Sequence, residues 1–523
     1  MTILIATLII PLIGAFGVLF LNKDNRKLIE MFSLGTSLVA FLVSLGLFFS
    51  FNSNAEGFQF VTDVTWIPAI DAGFRVGLDG MSLLMVMLTT FITPIALLSS
   101  INSINKRHKE YYFMFLMLQF GMLGVFLSLD LFLFYIFWEI ILIPMYFIIG
   151  IWGGKDRIYA AVKFFVYTIV GSLFMLVAIV WLGLHIGGDV LSLPTGFTSD
   201  YLLIKQHSAA IAPDVQNWLF LAFALSFLIK VPLFPLHTWL PDAHTMAPTP
   251  GSVILAGVLL KMGTYGLIRF NLELFPVSSI DWAGPISFLA VVGIIYGALV
   301  ALVQTDVKKI IAYSSVAHLG FVVLGIFAMN ETGIQGAIIQ MVNHGLSTGA
   351  LFICVGIIYE RRHTREISEF GGLARVMPMY TIFFGISMFA SVGLPGLNGF
   401  IGEFLTLLGA FTSTVLDNIW YAVVATTGVI FAACYLLWMF GRVVFGALSN
   451  KENENLSDLN KTEWAMLVPL VIFIVWLGVY PNTFMSKSET STKQLVKKIE
   501  QVELDLNNGT INMEPKEVLT ENN

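Results

Sequence analysis

Apolar positions along this chain gather into long runs separated by short polar loops. Fourteen runs stand out, at about 1-21, 28-51, 77-100, 110-129, 131-152, 159-185, 216-236, 249-270, 282-303, 309-329, 333-359, 377-413, 419-446 and 463-483. A helix needs roughly 20 apolar residues to cross the hydrocarbon core of a bilayer. The pattern therefore predicts an all-α polytopic membrane protein with fourteen transmembrane helices. The run 377-413 is too long for one straight span and contains Ser391-Val392-Gly393-Leu394-Pro395-Gly396, so it is read as one broken helix. The run 216-236 ends on Lys230-Val231-Pro232-Leu233-Phe234-Pro235-Leu236-His237, whose two prolines remove amide donors and predict a second break. Residues 484-523 are polar. Leu495, Ile499, Val502 and Leu506 keep helical spacing there, with Lys497, Lys498, Glu500 and Glu503 on other faces, which predicts a short amphipathic helix.

Composition agrees with this reading. Of 523 residues, 57% are hydrophobic and 12% are charged, about half the charge of a soluble domain, and the mean hydropathy is +0.83. So little charge cannot cover a folded surface in water, which excludes a cytoplasmic enzyme, a disordered chain and a secreted disulfide scaffold. Cys354 and Cys434 lie inside apolar runs as small core residues. The net charge of -6 and the lack of a basic block give no sign of nucleic-acid binding. No Lys or Arg precedes the first run, so it does not read as a signal peptide.

Loop charge sets the expected orientation. Alternate loops and their flanks carry seventeen basic residues: Lys23, Arg26, Lys27, Lys106, Arg107, Lys109, Lys155, Arg157, Lys308, Lys309, Arg361, Arg362, Arg365, Arg375, Arg442, Lys451 and Lys461. The opposite loops before the tail hold two, Arg75 and Lys205. Basic loops stay in the cytoplasm, so both termini are expected on the non-cytoplasmic side. Losing one span would reverse the parity downstream and destroy the asymmetry.

Ionisable groups inside the runs carry the candidate chemistry. A charge at the bilayer centre costs roughly 2.5–3.5 kcal/mol on insertion scales, and such groups mark ion paths. Glu139 lies about 13 Å into its run, and Lys230 sits beside the Pro232 break. Lys261, His318 and His344 lie in the eighth, tenth and eleventh runs, and Glu403 follows the break in the twelfth. Lys, Glu and His are titratable at accessible cost, and a Glu139–Lys230 pair would lower the cost of burying each. Breaks in the seventh and twelfth runs, five apart, fit an inverted repeat with an ion site at the breaks. No nucleotide-binding loop, haem or iron–sulfur pattern is present. The spacing of His237 and His244 alone does not make a metal site.

Four stretches occur together: Gly77-Leu78-Asp79-Gly80-Met81-Ser82, Phe137-Trp138-Glu139, His237-Thr238-Trp239-Leu240-Pro241-Asp242-Ala243-His244 and Ala247-Pro248-Thr249-Pro250-Gly251-Ser252. With Asp306-Val307-Lys308-Lys309-Ile310-Ile311-Ala312-Tyr313-Ser314-Ser315, they resemble the antiporter-like membrane subunits of proton-pumping NADH:quinone oxidoreductase, respiratory complex I, of the M (chain 4) type. The resemblance covers about residues 1-480.

It implies two inverted five-helix repeats with discontinuous helices 7 and 12. The domains would be helices 1-3 in 1-100, one repeat in 110-270, a second in 282-446, helix 14 in 463-483 and a tail in 484-523. It also implies proton-translocating roles for Glu139, Lys230, Lys261 and Glu403, with His237, His318 and His344 on the relay axis. L-type subunits carry lysine where Glu403 stands, which favours the M type. FMN, iron–sulfur clusters and quinone are implied in partner subunits, with none in this chain. L-type and N-type subunits are the implied neighbours, in the inner membrane of a bacterial cell. Two other functions compete. One is a subunit of a multisubunit Na+/H+ antiporter, and the other is a non-transporting scaffold, for which buried charge would be a poor material.

Overall fold

The computed structural model describes residues 2–508. Among them are twelve helices long and apolar enough to cross a membrane, from Ile3–Phe20 to Lys461–Val479. These correspond to twelve of the fourteen predicted runs. The other two are the runs in which breaks were predicted, and both are interrupted. The helix Pro213–Lys230 stops at Lys230, and the chain resumes as Trp239–Met246 after the turn that holds Pro232 and Pro235. The twelfth run forms Pro378–Val392 and Asn398–Phe411. Gly393 between them has φ +82°, a left-handed value that a side chain would strain.

Polar residues at the helix starts show why the runs begin where they do. Asp79, Asp130, Asp306 and Asn330 each accept hydrogen bonds from amides of the first turn they precede. Such caps are each worth about 1 kcal/mol. The lateral surface is apolar: Ile143, Val177, Phe288 and Ile430 are exposed in the isolated chain, as expected where acyl chains or neighbouring apolar helices replace water.

Several expectations need correction. The all-α polytopic architecture holds, with one loop element that the hydrophobic pattern does not predict. Residues 59–78 form a hairpin of β1 (Gln59–Ile67) and β2 (Ala72–Leu78), paired antiparallel. The β-branched residues Val61, Thr62, Val64 and Thr65 suit a half-exposed strand. Arg75 holds the hairpin down through ion pairs to Asp71, Asp63, Asp130 and Asp200. The third span therefore starts at Gly80, not at 77. The eighth run is not one regular helix either, because π-helical turns at Leu255–Leu259 and Leu267–Leu272 flank a short α-helix, Leu260–Gly266. The tail helix, Asn482–Asn507, is 26 residues long rather than short. It buries Leu495, Val496 and Ile499. Residues 509–523, the rest of the expected tail, lie outside the described residues.

The loops join into two sets. On one face, Trp152 Nε1 donates to Lys106 O at 2.7 Å, Arg365 donates to Thr245 O at 2.7 Å, and Arg361 pairs with Glu463 at 2.7 Å. On the other, Leu129 N donates to Arg75 O at 2.8 Å, Thr490 Oγ1 to Ser53 O at 2.6 Å, and Asn330 Nδ2 to Gly409 O at 2.8 Å. The first set holds the predicted basic loops and is called the basic face below. The second is called the hairpin face.

Candidate functional site

Four of the predicted residues form two hydrogen-bonded pairs in the protein interior. Lys261 is fully buried, and its Nζ lies 2.7 Å from His344 Nδ1 while also donating to Ala256 O. The preceding π-turn brings that carbonyl within reach, a common use of π-bulges at functional positions. His318 Nδ1 lies 2.7 Å from Glu403 Oε1. The two imidazole rings are 6.0 Å apart, centre to centre. The Nε2 atoms of both histidines are buried without a protein partner among the described residues. Lys261, His344, His318 and Glu403 thus form a line of titratable groups with one gap, between the two imidazoles.

The supporting shell is polar on one helix and close-packed on the other. Gln340 Nε2 donates to Glu403 Oε1 at 3.2 Å, and Asn343 Nδ2 donates to Asn398 O at 2.7 Å. Gln340, Asn343, His344 and Ser347 sit at helical spacing on Glu331–Arg362 and present one polar face. Gly402 permits the approach. A Cβ there would meet Gln340 Oε1 at 2.2 Å and Gln340 Cα at 2.8 Å, pushing the Glu403 helix away from its partner.

The remaining predicted residues stand apart from this line. Lys230 is buried, with Nζ 4.8 Å from the centre of the Trp138 ring and without a hydrogen-bond partner among the described residues. As the last residue of its helix it faces the negative end of the dipole. Glu139 is only half-buried, and its Oε1 has no protein partner among the described residues. The expected direct Glu139–Lys230 ion pair is absent among the described residues, with Trp138 against the ammonium instead. His237 packs on Phe234 and Tyr296, and its Nδ1 has no protein partner among the described residues, so the structure does not bring it into the hydrogen-bonded line.

Two residues missed as site candidates occupy the space between this line and the basic face. His244 is fully buried, stacked 4.7 Å from Phe352, with both ring nitrogens free of protein partners among the described residues. Lys308 is also buried and donates to Ala247 O at 2.6 Å. A cavity of about 580 Å³ on the basic face is lined by Lys308, Thr245, Ala247 and Arg365. In the sequence Lys308 stands out only as a loop charge and as part of the Asp306–Ser315 stretch. A lysine in the first turn of an apolar helix is unfavourable against the dipole, and that was the available signal.

Residues 128–430 match the family described as NADH:quinone oxidoreductase/Mrp antiporter, TM. NADH-quinone oxidoreductase subunit M of Rhodobacter capsulatus is 50% identical over 465 residues, 89% of this chain and 90% of that protein. NADH-ubiquinone oxidoreductase chain 4 of Chondrus crispus is 44% identical over 497 residues, 95% of this chain and 98% of that one. Among solved structures, a chain of respiratory complex I from Thermus thermophilus with bound NADH superposes with a TM-score of 0.83 at 30% identity, covering 95% of this chain and 100% of that one. A chain of the membrane-bound sulfane sulfur reductase, an archaeal respiratory membrane complex, shares the fold with a TM-score of 0.80 at 24% identity, covering 92% and 77%.

Proposed function

We propose a proton path for this chain, which belongs to the subunit M (chain 4) family of NADH-quinone oxidoreductases and is a membrane-arm subunit of respiratory complex I. The family model also takes in Mrp antiporters, but the relatives above, at 50% and 44% identity over nearly the whole chain, are complex I subunits.

Protons enter from the cytoplasm through the basic-face cavity at Lys308 and reach the buried His244 behind it. They pass to Lys261, along His344 and His318 to Glu403, and leave on the opposite side. The observation that carries this reading is the pair of 2.7 Å contacts, Lys261–His344 and His318–Glu403, with two imidazoles facing across the gap. Each group can take a proton on one side and give it up on the other. Glu139 and Lys230 act as the control pair: a change in their separation alters the field that Lys261 experiences. His237, at the break beside Lys230, is assigned to the same axis.

The interrupted segments support fourteen spans arranged as inverted repeats, 110-270 and 282-446, after helices 1-3 in 1-100, with helix 14 at 463-483 and the tail from 484. One break lies in each repeat, next to Lys230 in the first and Glu403 in the second. The two loop sets support the basic face as cytoplasmic, with both termini outside, in a bacterial inner membrane. L-type and N-type subunits are the proposed neighbours, and FMN, iron–sulfur clusters and quinone belong to other subunits.

The test is NADH-driven acidification of membrane vesicles carrying the whole complex. Glu403→Gln is expected to assemble, checked on native gels, and to lose most pumping, while Glu403→Asp keeps part of it. Normal pumping by assembled Glu403→Gln would remove Glu403 from the path.

A further inference from the structure

A groove lined by apolar side chains and Thr483 runs down the side of the protein from the hairpin face. It lies between the helices Arg26–Ser50 and Lys461–Val479, which both pack on Gly80–Ser103. Phe41, Leu45 and Phe48 form one wall, and Phe473 and Trp476 form the other. The floor is made by Leu84, Leu88, Val342 and Leu346, all buried. On the rim, Phe49 is 79% exposed and Trp476 42%, so the groove opens sideways, where the bilayer lies.

Its dimensions select what can fill it. From Phe41 to Phe49 the wall runs about 12 Å along the helix. Val342 on the floor lies about 16 Å from the hairpin-face end of Glu331–Arg362, close to the bilayer centre, so the groove has the depth of one leaflet. A volume of about 290 Å³ spread over that wall is a channel of roughly 24 Å² in section. Carbon atoms in contact sit about 4 Å apart, so one extended hydrocarbon chain occupies roughly 20 Å². A helix is about 10 Å across, roughly 80 Å² in section, and is too wide to enter. At the mouth, Lys487 Nζ lies 5.0 Å from the centre of the Phe48 ring, and the Phe484 ring lies 6.0 Å from that of Phe48. The acid closest to Lys487 in the tail helix, Glu489, is paired with Lys493 at 2.5 Å, and Lys487 itself makes no ion pair among the described residues.

We propose that this groove is a binding site for an anionic phospholipid of the hairpin-face leaflet, with one acyl chain in the groove and the phosphate on Lys487. The two halves of the site match the two halves of the ligand: an apolar slot one chain wide, and a free cation where the slot meets the membrane surface. A zwitterionic lipid brings its own ammonium to Lys487 and gains less from it. Val342 and Leu346 are one turn apart on the side of their helix opposite His344. The bound chain therefore backs the helix that carries His344 and keeps water off its outer side.

The test labels the groove from the lipid side. The whole complex is reconstituted in vesicles of phosphatidylcholine containing a small fraction of phosphatidylglycerol with a diazirine in its acyl chain, and in a second set the same diazirine is carried by phosphatidylcholine. After illumination, labelled peptides are quantified by mass spectrometry. The sum of all other labelled peptides of the complex serves as the reference for lipid that merely surrounds it. Labelling of 41–49 and 84–91 relative to that reference should be about fivefold higher with the phosphatidylglycerol probe, the preference that one lysine near a membrane surface confers. Lys487→Glu should abolish this preference and leave the reference labelling as it is. Leu45→Trp, which fills the groove with a larger ring, should remove labelling of 84–91 by either probe. Should either variant fail to assemble on native gels, Lys487→Gln is read in its place and should also abolish the preference. The proposal is overturned by equal labelling with the two probes, by a preference that survives loss of the Lys487 charge, or by labelling of 84–91 that persists in assembled Leu45→Trp. It is equally overturned by a wild-type groove that takes no label, since a neighbouring subunit then covers this face.

Discussion

Lys261 Nζ meets His344 Nδ1 at 2.7 Å across two helices, and the His344 ring lies 6.0 Å from that of His318, its Nε2 without a protein partner among the described residues. The contact requires the lone pair on Nδ1, so the lysine N–H donates and the imidazole proton sits on Nε2 while this state lasts. Transfer from lysine to histidine puts a second proton on the ring at Nδ1, and the Nε2–H on the other side of the imidazolium is then the proton that can be passed on.

The expected consequence is that His344→Ala breaks the relay without breaking the fold. The imidazole is one of several polar groups on its helix, and the alanine leaves room for water between Lys261 and His318. Water can carry part of the traffic but cannot hold the proton as imidazolium does. Pumping should fall by about tenfold, equivalent to roughly 1.4 kcal/mol on the slowest transfer. Vesicle acidification normalised to assembled complex checks this, and an unchanged rate would place the relay elsewhere.

How far the sequence reveals this architecture differs from element to element. Spans are legible because bilayer thickness demands long apolar runs, and the breaks are legible because Pro232, Pro235 and Pro395 cannot continue a helix. Glu403 and His318 are legible because charge in such runs is costly. The hairpin at 59–78 is not, since its strands lie between two strong helical signals and are held by Arg75, whose partners Asp130 and Asp200 are distant in the chain. The π-turns around Lys261 leave no mark in composition. That Glu139 and Lys230 make no direct contact among the described residues is not legible either, because the sequence shows both charges but not that Trp138 packs against the lysine.

The tail helix should undock in acid, and the sign follows from Glu273. Burial alone pushes its carboxyl up, but Lys205 and Arg269 beside it outweigh that and hold it below the usual glutamate range. Tyr201, Tyr265, Asp79, Glu56, Lys497 and Lys498 are the other charged and titratable groups around this cluster and the cavity beside it, and Lys498 of the tail helix donates to the backbone carbonyl of Glu273 at 2.7 Å. Because the folded state favours the carboxylate, this stability is complete above the ordinary value, about 4.3, and is lost as pH falls through the lower folded value. Amide exchange over 482–507 should stay slow down to that ordinary range and rise below it. Glu273→Gln should remove most of this pH dependence. A tail that loosens already between pH 7 and 5 would contradict the assignment.

The control pair is tested by exchanging charge for shape. Glu139 is half-buried with an unpartnered carboxylate oxygen, and Lys230 is buried against Trp138 with no hydrogen bond among the described residues. Neither group is held in the way a structural ion pair is held. A buried pair kept only for architecture tolerates replacement of both members by neutral residues of similar size, sometimes with a gain in stability. A pair that acts through its field does not, because the field is lost with the charges. Glu139→Gln is therefore expected to assemble and to pump at about a tenth of the normal rate or less, a change of roughly 1.4 kcal/mol or more. Glu139→Asp keeps a titratable carboxylate and should retain part of the activity. Glu139→Gln combined with Lys230→Met removes both charges at once. It should assemble at least as well as either single variant and still fail to pump. The measurement is NADH-driven acidification of vesicles, with assembly followed on native gels. If the assembled double variant pumps normally, the two charges are architectural, and control of Lys261 must come from another part of the membrane arm.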